Sequence, residues 1–203
     1  VVSQWWQATR LQSLLLAFLW LSSVGLRLRM LWLSARWQDA LATGAFVAVS
    51  VIFTGLTFCI LHVSCAIAVL IDAYCTHFAN ELNVPMGVQE WNMLQALLRK
   101  VSRALKWGFL ALQTTALAIA LFSVSGLLLH SSADAVSHLS NMVLPLSVEL
   151  IIFKAAEVTE RCSRVPSLIN SLSIDNEDID KDRHYLVEYV TYSAAGFYVG
   201  EVR

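Results

Sequence analysis

Residues 40–71 read ALATGAFVAVSVIFTGLTFCILHVSCAIAVLI, thirty-two positions without an Asp, Glu, Lys or Arg. An α-helix needs about 20 mainly apolar residues to cross the hydrocarbon core of a bilayer, at about 1.5 Å of rise per residue. The stretch is longer than one crossing requires and too short for two crossings with a turn. It contains no proline, and its glycines, Gly44 and Gly55, do not make a loop. It predicts one long helix whose span, 41–71, projects beyond the bilayer through 72–83, where NVPMG (83–87) breaks it.

Composition agrees with this reading. Hydrophobic residues make up 57% of the 203 positions and charged residues 14%, against about 25% charged in an ordinary soluble domain. Mean hydropathy is +0.62. There are too few polar residues to coat a water-soluble globule of this size. The net charge of −1 offers no clustered basic face for nucleic acid, and four cysteines are too few for a disulfide framework.

Working outward, three more apolar segments predict crossings at 11–33, 107–129 and 135–153, the first interrupted by Arg27 and Arg29 and the last containing Pro145 and Glu149. Between the second and third spans lies QEWNMLQALLRKVSRALK (89–106). Trp91, Leu94, Leu98, Val101 and Leu105 are spaced 3, 4, 3, 4, with Arg99, Lys100, Arg103 and Lys106 elsewhere on the wheel. That is an amphipathic helix with a narrow apolar seam, and it runs without a break into the span that follows. A polar extension at 154–172, a charged loop IDNEDIDKDR (174–183) and a further helix at 183–199 complete the chain. The expected fold is all-α: a single multi-pass helical membrane domain over 1–203, with helices at 72–83, 89–106, 154–172 and 183–199 forming a bundle outside the bilayer.

Loop charge sets the orientation. The turn at 130–134 has no Lys or Arg, whereas 72–106 and 154–183 carry four and five, which places both on the cytoplasmic side. The short link near Arg36 then falls outside, against the trend.

Several constellations resemble chemical sites. Cys59, His62 and Cys65 sit at steps of three, which spreads them over about 120° of one helix side. No fourth metal ligand accompanies them, and Cys packs readily as a small hydrophobe. His62 is read either as a packed polar residue or as lining a ligand pocket, since an ionisable group in a span faces a bundle interior or a wet cavity. Arg27 and Arg29 are read as reaching to the interface, and Glu149 as pairing with Lys154 or facing a vestibule. Asp178, Asp180 and Asp182 imitate an EF-hand loop, but Arg183 stands where Gly belongs and Tyr189 where Glu belongs. No catalytic, nucleotide-binding or dinucleotide motif is present, so neither an enzyme nor a cofactor or metal is expected.

The helix HYLVEYVTYS (184–193) with the following AAGFYVGEVR (194–203) resembles the last intracellular segment of the insect gustatory and odorant receptor superfamily, including its gustatory receptor-like relatives. In those receptors a small–small–Gly–aromatic stretch, here Ala194, Ala195, Gly196, Phe197 and Tyr198, leads into the pore-lining half of the seventh helix. IDAYCTHFANEL (71–82) and the helix beginning Trp91-x-x-Leu94 are also similar. The family's Thr-Tyr, five hydrophobic residues, Gln-Phe signature is absent: Thr191-Tyr192 is followed by Tyr198-Val199 where Gln-Phe would stand.

On this alignment the chain covers the third helix to the first half of the seventh, and the chain is expected to be a piece of a longer protein. The resemblance implies a ligand-gated cation channel subunit of the plasma membrane. It implies a homotetramer held by a cytoplasmic anchor (Trp91, Leu94, Leu98, Val101, Leu105, Gly196 and Phe197) and a small-molecule pocket in the outer half of the spans, for which His62 is the candidate. The other reading is a non-channel membrane scaffold or transporter-like protein, although no internal repeat of the transporter kind is visible.

Overall fold

The computed structural model describes residues 2–34, 37–129, 135–172, 177–193 and 195–196. It is all-α, with no strand among the described residues: α1 (Val2–Ser34), α2 (Trp37–Glu81), α3 (Val84–Leu129), α4 (Ala135–Val143), α5 (Leu146–Ser171) and α6 (Glu177–Tyr192). Three helical segments are long and apolar enough to cross a membrane, Trp5–Leu33, Gln38–Glu81 and Val84–Leu128.

The long helix read from 40–71 is there, 45 residues in all, and α3 matches it with 46. The tight connection between them follows from local chemistry. Leu82 takes the left-handed conformation that ends a helix (φ 48°), with its N–H on the Phe78 carbonyl at 2.9 Å. The Asn83 side chain then accepts the Met86 N–H at 3.1 Å, an N-cap that also lets Pro85 sit in the first turn, where its missing N–H costs nothing.

Three expectations change. The single helix expected over 135–153 is two, α4 and α5, because Pro145 has no N–H to donate and its ring crowds the carbonyl one turn back. The new helix starts at once, with the Ser147 and Val148 N–H groups on the Leu144 and Pro145 carbonyls at 3.0 and 2.9 Å. The charged stretch read as a loop is helical from Glu177 onward. Among the described residues that last helix ends at Tyr192; residues 194 and 197–199 of the expected helix lie outside the described residues. By contrast α5 runs straight through Pro166. Cys162, Val165 and Ile169 around it are all buried, and this packing offsets a penalty of about 3 kcal/mol.

The chain forms two compact units. The first, here the polar unit, comprises the start of α1, Val63–Lys106 and the chain from Phe153 onward. Its core is built from apolar seams at helical spacing: Ile67, Ile71, Tyr74 and Phe78 on α2; Trp91, Leu94 and Leu98 on α3; Val158, Cys162, Val165 and Ile169 on α5; Leu186 and Val190 on α6. Steps of 3 and 4 keep each seam on one helix face, as in coiled coils. Trp91 is fully buried, lies 5.6 Å from the Tyr74 ring and donates its indole N–H to the Ser193 hydroxyl at 2.9 Å. Gln95 donates to the Ser193 carbonyl, and the Tyr189 hydroxyl to Asn92 at 2.6 Å, so the end of α6 is tied to α3.

The second, apolar unit comprises Gln7–His62 and Trp107–Ile152, and it buries small hydroxyl residues alongside large apolar ones such as Phe53, Leu61 and Ile151. Thr9, Ser23, Thr43, Ser50, Thr57, Ser123, Ser140 and Ser147 are buried, while Trp32 (85% exposed), Leu128 (81%) and Phe122 (77%) face outward. Small residues let helix backbones approach closely, the pattern of helix contacts in lipid. Several of the hydroxyls are bonded to helix carbonyls or side chains, while the buried Thr54 hydroxyl has no partner among the described residues. Thr57 bonds the Phe53 carbonyl at 2.8 Å, Ser23 bonds the Ser140 carbonyl at 2.8 Å, and Trp20 donates to Ser50 at 3.1 Å.

Gly87 gives the polar unit a test. A Cβ there would lie 2.8 Å and 2.9 Å from two carbons of the buried Phe78 ring, and the Gly87 carbonyl already accepts from the Tyr74 hydroxyl at 3.3 Å. We expect Gly87→Ala to lower stability by about 1–3 kcal/mol through overpacking, read as a lower unfolding midpoint in detergent. A midpoint equal to the parent's would refute this close approach.

Candidate functional site

The apolar unit contains a cavity of about 330 Å³, within the size range of small-molecule sites. Three elements line it with residues one helical turn apart: Phe46, Val49 and Ser50 on α2, Ile119, Phe122 and Ser123 on α3, and His138, Asn141 and Leu144 from α4 and its end. The walls are mainly apolar, with His138, Asn141 and two serine hydroxyls as the polar groups. A few converging polar groups in an apolar pocket fix a ligand's orientation while burial supplies affinity.

Local sequence explains the geometry. The Ser50 hydroxyl is held by the Val47 carbonyl at 2.8 Å and by the Trp20 indole. Phe46 also carries the Arg27 guanidinium 5.4 Å above its ring centre, a cation–π contact that gives this half-buried cation a place within the unit. His138 packs against Gly126, and its imidazole occupies the space a Cβ would need. Only glycine fits there.

His62 is placed elsewhere. Its Nδ1 donates to the Phe58 carbonyl at 2.9 Å, its Nε2 lies 3.2 Å from the Ser13 hydroxyl, which itself donates to the Thr9 carbonyl at 2.8 Å, and its ring packs 3.8 Å from Phe58. It joins α1 to α2 and is not among the lining residues of the 330 Å³ cavity. Cys59 is exposed and Cys65 buried, so the two thiols do not share an environment with it. Of the expected anchor residues, Trp91, Leu94 and Leu98 lie in the core of the polar unit, with Val101 packed against it. Leu105 is half-buried and Gly196 buried, while Phe197 lies outside the described residues. The seam is thus covered within one chain. Sequence reasoning did not find His138 or Asn141. Gly126 and His138 are twelve positions apart in the sequence, and only the fold reveals that one packs on the other.

Two further cavities differ in kind. One of about 390 Å³ is lined by Ala116, Leu117, Ala120 and Ile152, with Gln113 and Glu149 at its edge. The other, about 500 Å³ in the polar unit, is walled by Asp72, Glu157, Glu160, Arg161 and Arg164, and these charges satisfy one another. Arg161 pairs with Asp72 and with Glu157, Lys154 with Glu157 at 2.5 Å, and Arg164 with Glu160. Partial burial pushes the Glu157 carboxyl upward, but hydrogen bonds and charge from Lys154 and Arg161 outweigh it and hold the group below its ordinary value. At the hairpin, His77 sits 3.0 Å from Glu81 and 3.1 Å from Glu90, and the Glu90 hydrogen bond raises its pKa.

Compared with known proteins, the chain matches no family model, no curated protein and no solved structure.

Two measurements follow from these geometries. Because Glu157 titrates below its usual range when folded, its pairing stabilises the protein above the ordinary glutamate pKa, and the contribution disappears as pH falls through the folded-state value. Glu157→Gln is expected to be less stable than the parent at neutral pH, with the gap closing under acid; a gap independent of pH would contradict the assignment. Gly126→Ala must displace the His138 ring, with an expected loss of about 1–3 kcal/mol. A crystal or cryo-EM structure of that variant with His138 unmoved would refute the packing described.

Proposed function

We propose that this chain is a multi-pass membrane protein and a subunit of a ligand-gated cation channel of the chemoreceptor type. In this reading the apolar unit is embedded in a plasma membrane and the polar unit is cytoplasmic. The carrying observation is that α2 and α3 each do two things. Each walls a cavity of small-molecule size in the apolar unit, and each continues into a seam of the charged, water-adapted unit. That layout agrees with the one the receptor superfamily implies. The exposed large side chains and buried hydroxyls of the apolar unit support a lipid surrounding.

The ligand is a small, largely apolar molecule with one polar end. Phe46, Val49, Ile119, Phe122 and Leu144 supply contact area, and His138, Asn141, Ser50 and Ser123 offer both donors and acceptors. Among the described residues His138 is the one titratable group lining the cavity, and the reading takes occupancy as a binding event. Four copies form the channel.

The test uses the purified full chain in detergent. Cross-linking and native mass spectrometry are expected to reveal a four-chain species. A panel of monocyclic aromatic and short aliphatic amphiphiles is expected to include members that raise the unfolding midpoint; a ligand at one hundred times its Kd stabilises by about 2.7 kcal/mol. Val49→Trp, which fills the cavity from an exposed position, should abolish that shift while leaving the unliganded midpoint near the parent's. A membrane-integrated chain that stays monomeric and ignores every amphiphile would overturn the channel reading in favour of a scaffold.

A further inference from the structure

One face of α3 is used by neither the core nor the cavity. At about 100° per residue, Arg99, Lys100, Arg103 and Lys106 fall within an arc of about 120°. On the same wheel Trp91, Leu94, Leu98, Val101 and Leu105 occupy an arc centred about 160° away. The seam faces the core of the polar unit, so the cations face outward: Arg99, Lys100 and Arg103 are exposed and Lys106 half-buried. Among the described residues, no carboxylate lies within ion-pair reach of Arg99, Lys100 or Arg103. The contrast with α5 is sharp, where Lys154, Arg161 and Arg164 are all paired. Position matters as much as charge. The next residue of the same helix is Trp107, 71% exposed, and from there to Leu129 no charge appears.

Resting on the reading that α3 crosses a membrane, we propose that this stripe binds the headgroups of anionic lipids in the leaflet adjoining the polar unit. A row of cations at the end of a crossing is placed at headgroup depth, with an interfacial tryptophan beside it. Guanidinium groups fit phosphate oxygens two at a time. A soluble helix face would gain more from local acidic partners, which Arg99, Lys100 and Arg103 lack among the described residues. The surface therefore selects lipid by charge and fixes the depth of α3.

The full chain is extracted from membranes containing equal phosphatidylserine and phosphatidylcholine, and the co-purifying lipid is measured by native mass spectrometry. Phosphatidylserine is expected to be enriched. A surface cation contributes about 1 kcal/mol toward an anionic leaflet, about five-fold in selectivity. The triple variant Arg99→Gln, Lys100→Gln, Arg103→Gln should therefore lose on the order of a hundred-fold of any enrichment. Arg99→Lys with Arg103→Lys should retain most of it, and added salt should reduce it in the parent. Equal retention of both lipids by a chain that resists alkaline extraction would overturn this inference and leave the membrane reading intact. Release of the chain by alkaline extraction would overturn both. A changed oligomeric state in the triple variant, with lipid retention unaltered, would assign the stripe to a protein contact and sink the proposal.

Discussion

A helix of 45 residues is about 67 Å long at 1.5 Å per residue, more than twice the thickness of a bilayer's hydrocarbon core, about 30 Å. A rod of that length crossing a bilayer extends beyond the hydrocarbon into water, and α2 and α3 are built accordingly. Their apolar parts bury hydroxyls and expose leucine, isoleucine and phenylalanine; their other parts bury Trp91, Ile71 and Leu98 and expose charge. Every other feature follows from that change along two continuous rods. The division between the compact units falls at 62/63 on α2, 106/107 on α3 and 152/153 on α5, and the side-chain chemistry inverts with it.

The two halves of each rod are held by different forces. In the polar unit, seams of large apolar groups pack together and water supplies the driving force. A single large cavity-forming substitution there costs several kcal/mol. In the apolar unit, small hydroxyl residues are buried beside Phe53, Ile60, Leu61 and Leu112 and let helices approach closely, and hydroxyls such as Thr57 and Ser23 bond a helix carbonyl. Ser23 on the Ser140 carbonyl and Ser13 on His62 are such contacts between helices. They also explain how Gly126 and His138 can touch: in a unit packed at this distance, the absence of one Cβ makes room for a ring.

Much of this was legible in the sequence. The uncharged run at 40–71 fixed α2, and the 3, 4, 3, 4 spacing from Trp91 fixed which side of α3 is buried. The same spacing was available in Val158, Cys162, Val165 and Ile169. Pro166 and the charges around it obscured that seam, since neither marks a face by itself. Pro145 was visible, but whether a proline kinks or ends a helix depends on packing on both sides of it, which a sequence does not display. The acidic run from Glu177 looked like solvated loop because its charge density hides the Leu186–Val190 repeat behind it. The cavity was the least legible feature. Its described lining residues come from three separated segments, and His138 packs on a glycine twelve positions earlier.

Continuity bears on how occupancy of the cavity could be felt elsewhere. Coupling between separated sites requires an element with two arrangements that both sites bias. Between Ser50 and Ile67, α2 contains no proline, and its hydroxyls at Thr57 and Ser50 bond back to their own helix. Between Leu98 and Ile119, α3 is equally unbroken. The third wall is shorter: α4 is nine residues long and meets α5 at the Pro145 break. The cavity is thus walled by two long unbroken helices and one short one. His138, seated on Gly126 of α3, ties the short wall to one of the two long ones.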